Sequence, residues 1–316
     1  MKQKAFKIIF FLTLLMAMDW LISLFFQKGL EHYYGLDQQA DILLIGHSHL
    51  MKTCNKVKME KALGLKVSKY CREGVNIHQR HYMIQHYLDK RQNISAPIVI
   101  YGVDPTMFGQ GNLSLNSYKL FYPFMDSPPM DDLIRKEATK WYDYHLHKWV
   151  RCSRYTDTAM YRACRGWMNY WESLSNGVIS LKDWNKKRSA VHVSDELLQE
   201  FKQTIDLLLK NNSHVILVYP GIIQGFRDEN PEKYDSVVNI FQTMANESPH
   251  IDFLNYSPYF SPHREFFEDS VHINRKGEEI FTRMIVKDIE TIIQKNKLQT
   301  SRSTPQQKEN LTVSRF

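Results

Sequence analysis

Asp41-Ile-Leu-Leu-Ile-Gly46, which runs directly into His47-Ser48-His49-Leu50, decides the fold. A short, continuous apolar run ending in glycine is the pattern of a strand buried on both faces of a parallel sheet, and helical spacing follows it. Lys66 to Tyr70 is a weaker strand candidate, Asn76 to Leu88 reads as a helix, and Pro97-Ile-Val-Ile-Tyr101 is a second strongly apolar strand. Ser194 is placed to N-cap a helix with Leu197, Leu198, Phe201, Ile205 and Leu208 on one face and Asn211-Asn212 at its close. His214 to Tyr219 is the next strand, ending at Pro220-Gly221. A helix over roughly Pro231 to Ala245, a strand from Ile251 to Leu254 and a helix from Asn274 to Gln294 complete the series. About five parallel strands alternating with helices predict an α/β fold, a three-layer doubly wound sheet.

On the N-terminal side, Ile8 to Phe26 reads IIFFLTLLMAMDWLISLFF, long enough as a helix to span a hydrocarbon core of about 30 Å and broken only at Asp19. Gln27-Lys28-Gly29-Leu30-Glu31 follows it in place of a small-residue cleavage site, so residues 1–27 are expected to be an uncleaved transmembrane anchor. Lys2, Lys4 and Lys7 precede the span, which leaves the N-terminus cytoplasmic and the domain extracytoplasmic. Asp19 either meets a membrane partner or is protonated and tolerated.

Residues 28–295 form the expected extracytoplasmic domain, interrupted by a helical, aromatic-rich insertion at 105–190. The insertion holds Trp141, Trp149, Trp167 and Trp171 among Tyr142, Tyr144, Tyr155, Tyr161 and Tyr170. Such residues suit sugar stacking, but at helical spacing they are expected mainly to fill a core. The polar tail, 296–316, is expected to be disordered. The chain of 316 residues is 43% apolar and 24% charged, an ordinary globular mixture without repeats, and its charge of +7 is scattered without a nucleic-acid-binding motif. Four cysteines, Cys54, Cys71, Cys152 and Cys164, allow one or two disulfides, with buried free thiols the alternative for Cys54 and Cys71.

Catalytic groups in open α/β sheets sit beyond the carboxyl ends of the strands. There the first strand delivers Ser48 to a strand-to-helix turn, with its hydroxyl exposed and its amide at a helix start, a position for a nucleophile as much as for an ordinary N-cap. Asp269-Ser270-Val271-His272 follows the last strand. A spacing of three on one helical turn places Asp269 and His272 on the same face, so that the carboxylate can fix the imidazole tautomer and the other ring nitrogen can take a proton from serine.

In order and content these segments resemble the blocks of the SGNH/GDSL hydrolase superfamily. Gly46-His47-Ser48-His49-Leu50 is similar to the Gly-Asp-Ser block and Glu73-Gly74-Val75-Asn76 to the glycine block. Gly102-Val103-Asp104-Pro105 falls at the third block, and Asp269-Ser270-Val271-His272 matches the last. The resemblance spans roughly Asp41 to Lys295 without the insertion. It implies a flavodoxin-like sheet with Ser48 as nucleophile, His272 as base and Asp269 as its orienting partner. The amides of Ser48 and Gly74 would line the oxyanion hole, with no metal or organic cofactor. His47 replaces the usual aspartate, and Asp104 stands where an asparagine donates to the oxyanion. An ionised carboxylate cannot donate, and one missing donor costs about 2.7–4 kcal/mol of transition-state stabilisation. Asn76 could substitute as donor, or Asp104 could bind substrate or be protonated.

The anchored architecture is similar to the envelope-associated branch of this superfamily, which includes alginate O-acetylation proteins and the D-alanylation protein of teichoic-acid operons. It implies a serine esterase or O-acyltransferase acting on envelope polysaccharide beside a membrane-bound acyltransferase. Two other readings remain. His47, His49, Asp269 and His272 could ligate zinc in a metallohydrolase. A non-catalytic SGNH-like domain could instead bind a polymer or assemble a complex through the Trp/Tyr insertion.

Overall fold

The computed structural model describes residues 2–92, 96–109, 116–169, 174–185 and 191–303, the side chains of 226, 228, 229 and 297–303 excepted. Its centre is a sheet of five parallel strands, Ile42–Gly46 (β1), Val67–Cys71 (β2), Ile98–Gly102 (β3), His214–Tyr219 (β4) and Ile251–Asn255 (β5), in the order β2-β1-β3-β4-β5. Every residue of β1, β3 and β4 is buried, which is why these segments read as unbroken apolar runs. Successive side chains point to opposite faces. Leu43, Ile45, Val99, Tyr101, Val215 and Leu217 enter one core, and Ile42, Leu44, Ile98, Ile100, Ile216 and Val218 the other.

The helices, in chain order, are Lys2–Tyr34 (α1), Ser48–Thr53 (α2), Lys56–Leu63 (α3), Ile77–Lys90 (α4), Pro128–Glu137 (α5), Trp141–Trp149 (α6), Asp157–Trp167 (α7), Leu181–Trp184 (α8), Asp195–Lys210 (α9), Gln224–Glu229 (α10), Pro231–Glu247 (α11), Ser257–Phe260 (α12) and Arg275–Ser303 (α13). The end of α1 with α4, α9 and α11 covers the first face, and α2, α3 and α13 the second. This is the three-layer doubly wound sheet expected. Local chemistry sets the helix starts: Asn76 and Gln79 form a capping box on α4, and the Ser194 hydroxyl accepts from the Leu197 amide on α9. The last helix runs past Gln294 to Ser303, so the expected tail boundary at 296 falls inside a helix.

Histidines 78, 81 and 86 all lie on α4. His78 meets Glu200 and His81 meets Thr204, while His86 is buried with Nδ1 3.0 Å from the Tyr70 hydroxyl. Burial, helped by Lys90 and Arg72, lowers the His86 pKa from 6.5 to about 3, so the ring is neutral when folded. The unfolded ring takes up a proton below its ordinary value and the folded ring does not, so this contribution is complete above pH 6.5 and is lost towards pH 3. The slope is at most about 1.4 kcal/mol per pH unit. The urea midpoint is therefore expected to fall between pH 7 and pH 5, and to fall less in His86→Asn, whose amide can keep the bond to Tyr70. Buried His47 and His49 shift in the same direction, while Asp37 and Glu200 raise His32 and His78 and act in the opposite one, so the difference between wild type and His86→Asn reads the His86 contribution.

Helix α1 is long and apolar enough to cross a membrane. Residues 2–18 are all exposed, and contact with the domain begins at Asp19. Its carboxylate accepts from the amides of Arg151 and Cys152 at 2.9 and 2.8 Å, a partner within the chain in place of the two alternatives the sequence left open. Below it Ser23 meets the Tyr155 hydroxyl at 3.1 Å, and Glu31 pairs with Lys28 and Lys90 at 3.2 and 2.8 Å.

Between β3 and α9 the described residues form helices joined by loops, with no strand among them. Their core is Tyr118, Phe121, Phe124, Met130, Leu133, Ile134 and Ala163. The tryptophans stay outside it: Trp141, Trp149 and Trp167 are exposed, contrary to the expected core packing, and Tyr170 and Trp171 lie outside the described residues. All four cysteines are free thiols. Burial pushes the thiols of Cys54 and Cys71 up to about 12, which keeps them unreactive.

Candidate active site

With the order β2-β1-β3-β4-β5, the topological switch point lies at the carboxyl end of β1, beside β3. The chain turns there without room to spare. A Cβ on Gly46 would lie 2.9 Å from Cβ of buried Leu50, so α2 closes directly onto the strand end and holds Ser48 at its first position. His47 supplies the cap: its Nδ1 accepts from the His49 amide at 3.0 Å. That leaves the proton on Nε2, which donates to Asp104 Oδ2 at 2.6 Å across from the end of β3.

Asp269 and His272 meet Ser48 from the other side. They are not on a helical turn. Both lie in the loop ahead of α13, which begins at Arg275. Their proximity comes from Asp269 Oδ1, which accepts from the amides of Val271 and His272 at 2.9 Å each and folds the loop into a tight turn. Asp269 Oδ2 then lies 2.7 Å from His272 Nδ1, and His272 Nε2 lies 2.8 Å from Ser48 Oγ. Burial opposes ionisation of Asp269, but the His272 ring and these amides outweigh it and hold the carboxyl well below its ordinary range. An ionised carboxylate only accepts, so Nδ1 carries the imidazole proton and Nε2 presents its lone pair to the serine hydroxyl. Lys52 on α2 pairs with Glu268, tying the helix that carries Ser48 to this loop.

The remaining sequence candidates have other partners. Asp104 is 1% exposed; burial alone would raise its pKa, but donation from His47 and Thr106 overcomes this and holds it well below the carboxylate range. It is therefore a saturated acceptor rather than a protonated acid. Asn76 Oδ1 accepts from the Gln79 amide as the cap of α4. Gly74 sits at φ 67° in the turn after β2. Next to it, Glu73 is clamped by Arg162 of α7. Arg72 is buried with its guanidinium 5.2 Å over Tyr34 and 5.1 Å over Phe121, which fixes the end of β2 against α1 and the insertion.

Among the described residues, two groups hold metal-ligating atoms within 4.8 Å of one another, His47-His49-Asp104 and Glu268-Asp269-His272. Neither is spaced for zinc. Two ligands at 2.0–2.1 Å from a tetrahedral ion stay about 3.3 Å apart, whereas His47 and Asp104 are 2.6 Å apart and His272 and Asp269 2.7 Å. These are hydrogen-bond distances, and both His47 nitrogens are already engaged.

A cleft of about 800 Å³ opens beside Ser48 and His272. Tyr33 and Tyr34 of α1, Tyr161 and Arg162 of α7, and Lys52, Lys69 and Glu73 are among its walls, so the insertion and the end of α1 shape the approach to the serine. Of the sequence's candidates the structure brings Ser48, Asp269 and His272 together. Sequence reasoning missed the His47–Asp104 link, whose one legible signal is a cap-forming residue immediately before the serine.

No family model matches this chain, and no curated protein does. Among solved structures, a Bacteroides fragilis protein provisionally described as an acylhydrolase is similar at 12% identity, covering 79% of this chain and 87% of its own, with a TM-score of 0.41.

Proposed function

We propose that this chain is a membrane-anchored, SGNH-type serine esterase or O-acyltransferase that acts on ester groups of cell-envelope polysaccharide. The observation that carries this reading is the unbroken chain from Asp269 through His272 to Ser48, at 2.7 and 2.8 Å, at the switch point of the sheet. His272 Nε2 takes the hydroxyl proton as Ser48 Oγ attacks the ester carbonyl, and returns it to the departing alkoxide, leaving an acyl-serine. In the second half His272 deprotonates water or a glycan hydroxyl, which takes the acyl group and frees Ser48. Asp269 orients the ring and stabilises the imidazolium. Asp104 cannot donate, so oxyanion stabilisation falls to backbone amides, those of Ser48 and Gly74, while Asp104 positions His47 beside the nucleophile.

The cleft supports a hydroxylated substrate, because aromatic faces and paired charges line it together. The exposed apolar length of α1 supports the anchor, and Lys2, Lys4 and Lys7 ahead of it support an extracytoplasmic domain, within reach of envelope glycans and of a membrane-bound acyltransferase as acyl donor.

The test uses the full-length chain in detergent with an O-acetylated polysaccharide. Wild type is expected to release acetate equally with and without EDTA, and folded Ser48→Ala to release none. Added unacetylated glycan separates transfer from hydrolysis by capturing the acetyl group. Turnover that persists in Ser48→Ala contradicts the serine mechanism.

A further inference from the structure

Helix α6 is built inside out. Tyr144, His147 and Lys148 face the domain: the Tyr144 hydroxyl and Lys148 Nζ donate to Asp131 at 2.8 and 2.6 Å, and the His147 ring stacks on Tyr122 at 3.9 Å. The opposite stripe, Trp141, Tyr142, Leu146 and Trp149, with Val150 just past the helix end, is exposed, Trp141 by 77% and Trp149 by 80%. These positions share one side of a helix with exposed His145, whose ring lies 5.8 Å from that of Trp141, so a largely apolar and aromatic face points away from the core. Tryptophan and tyrosine on such a face are the composition of a segment that lies at a membrane–water boundary.

The attachment of α6 to α1 says what covers that face. Asp19 accepts from the amides of Arg151 and Cys152, immediately after Val150, so the end of α6 is pinned beside Asp19. Close by, Phe25 stacks on Trp167 at 5.6 Å. The free part of the apolar helix, Ile8 to Met18, is only about 16 Å long at 1.5 Å per residue. A hydrocarbon core is about 30 Å thick. A bilayer crossed by α1 must therefore also take in the stretch from Asp19 to Phe26, with whatever is fastened to it. Charges at that level are paired: Asp19 on two amides, and Arg151 and Arg154 on Asp126 at 3.2 and 2.9 Å.

From this juxtaposition we infer that the outward stripe of α6, fastened to α1 at Asp19, seats in the interfacial layer of the phospholipid leaflet that α1 enters, so that the domain is docked on the bilayer rather than tethered above it. The inference rests on reading α1 as a membrane span. It also places the catalytic cleft: Tyr33 lies about 10 Å along α1 from Phe26, which sets this wall of the cleft close to the headgroups.

The test uses the full-length chain, with Cys152→Ser and Cys164→Ser leaving only buried thiols, in phosphatidylcholine–phosphatidylglycerol vesicles. An environment-sensitive fluorophore is attached after Leu12→Cys in α1, Trp149→Cys in α6 or Lys287→Cys in α13, one at a time. With lipids brominated on their acyl chains, the labels at 12 and 149 are expected to lose most of their emission and the label at 287 to keep it. Leu146→Cys repeats the reading should Trp149→Cys fail to fold. A label at 149 that stays unquenched while that at 12 is quenched overturns docking and leaves the span standing. A label at 149 shielded from aqueous iodide yet unquenched by bromine means that protein, a second copy or a partner, covers the stripe, and overturns lipid docking. An unquenched label at 12 removes the span and the inference with it.

Discussion

His272→Ala is expected to lower the kcat for acyl-ester turnover by roughly a millionfold, about as far as removing the whole triad, because the serine hydroxyl then has no acceptor for its proton. Asp269→Asn is expected to cost up to about ten-thousandfold by a different route. Asparagine presents an N–H to His272 Nδ1, so the imidazole proton moves to Nε2, where it faces Ser48 Oγ in place of the lone pair that now lies 2.8 Å away. Asp269 is 50% exposed, so water can partly replace it, and its variant keeps more activity than that of His272. The double variant should be no worse than His272→Ala alone. Steady-state kinetics on a chromogenic ester, with circular dichroism to show that each variant is folded, reads these losses. Independent, additive losses at the two positions contradict their acting as one unit.

Gly166→Leu is the second large effect, and it falls on stability. Helices α1 and α7 touch backbone to backbone: a Cβ on Gly166 would lie 1.9 Å from the Gly29 carbonyl oxygen, and one on Gly29 2.4 Å from that of Ala163. Neither obstacle is a side chain that can swing aside, so any substituent drives the helices apart. Leu30, Tyr34, Ala159 and Ala163 then lose their packing, and Arg162 loses its position on Glu73 at the cleft. A loss of upwards of about 3 kcal/mol is expected, which lowers the melting midpoint of a chain this size by roughly 6–12 °C. Gly166→Ala should move the same way by less. An unchanged midpoint in Gly166→Leu would mean that this contact does not hold α1 to the domain.

The sheet was legible because strands covered on both faces must be apolar throughout. Ile42–Gly46, Ile98–Gly102 and His214–Tyr219 announce themselves by that run alone. Ser48 stood out as a candidate at a strand end, and Asp269 with His272 as candidates in the segment after the last strand, while their meeting across the intervening chain depends on strand order. The local geometry of Asp269-Ser270-Val271-His272 was misread as helical because a spacing of three fits a helical turn and a side-chain-capped loop equally well. Periodicity marks the stripe from Trp141 to Trp149 but is blind to direction. Whether an apolar face turns inward depends on the polar side holding Asp131 and Tyr122, which no local pattern reveals. The Asp19 contact was out of reach for the same reason, since its donors are backbone amides far along the chain.

The most direct measurement of an activated Ser48 is a fluorophosphonate reaction with the folded full-length chain, read by intact mass and peptide mapping. One adduct per chain, on Ser48, absent from Ser48→Ala and strongly slowed in His272→Ala, is the predicted result. A folded wild type that gains no adduct, or gains one equally in Ser48→Ala, would contradict it.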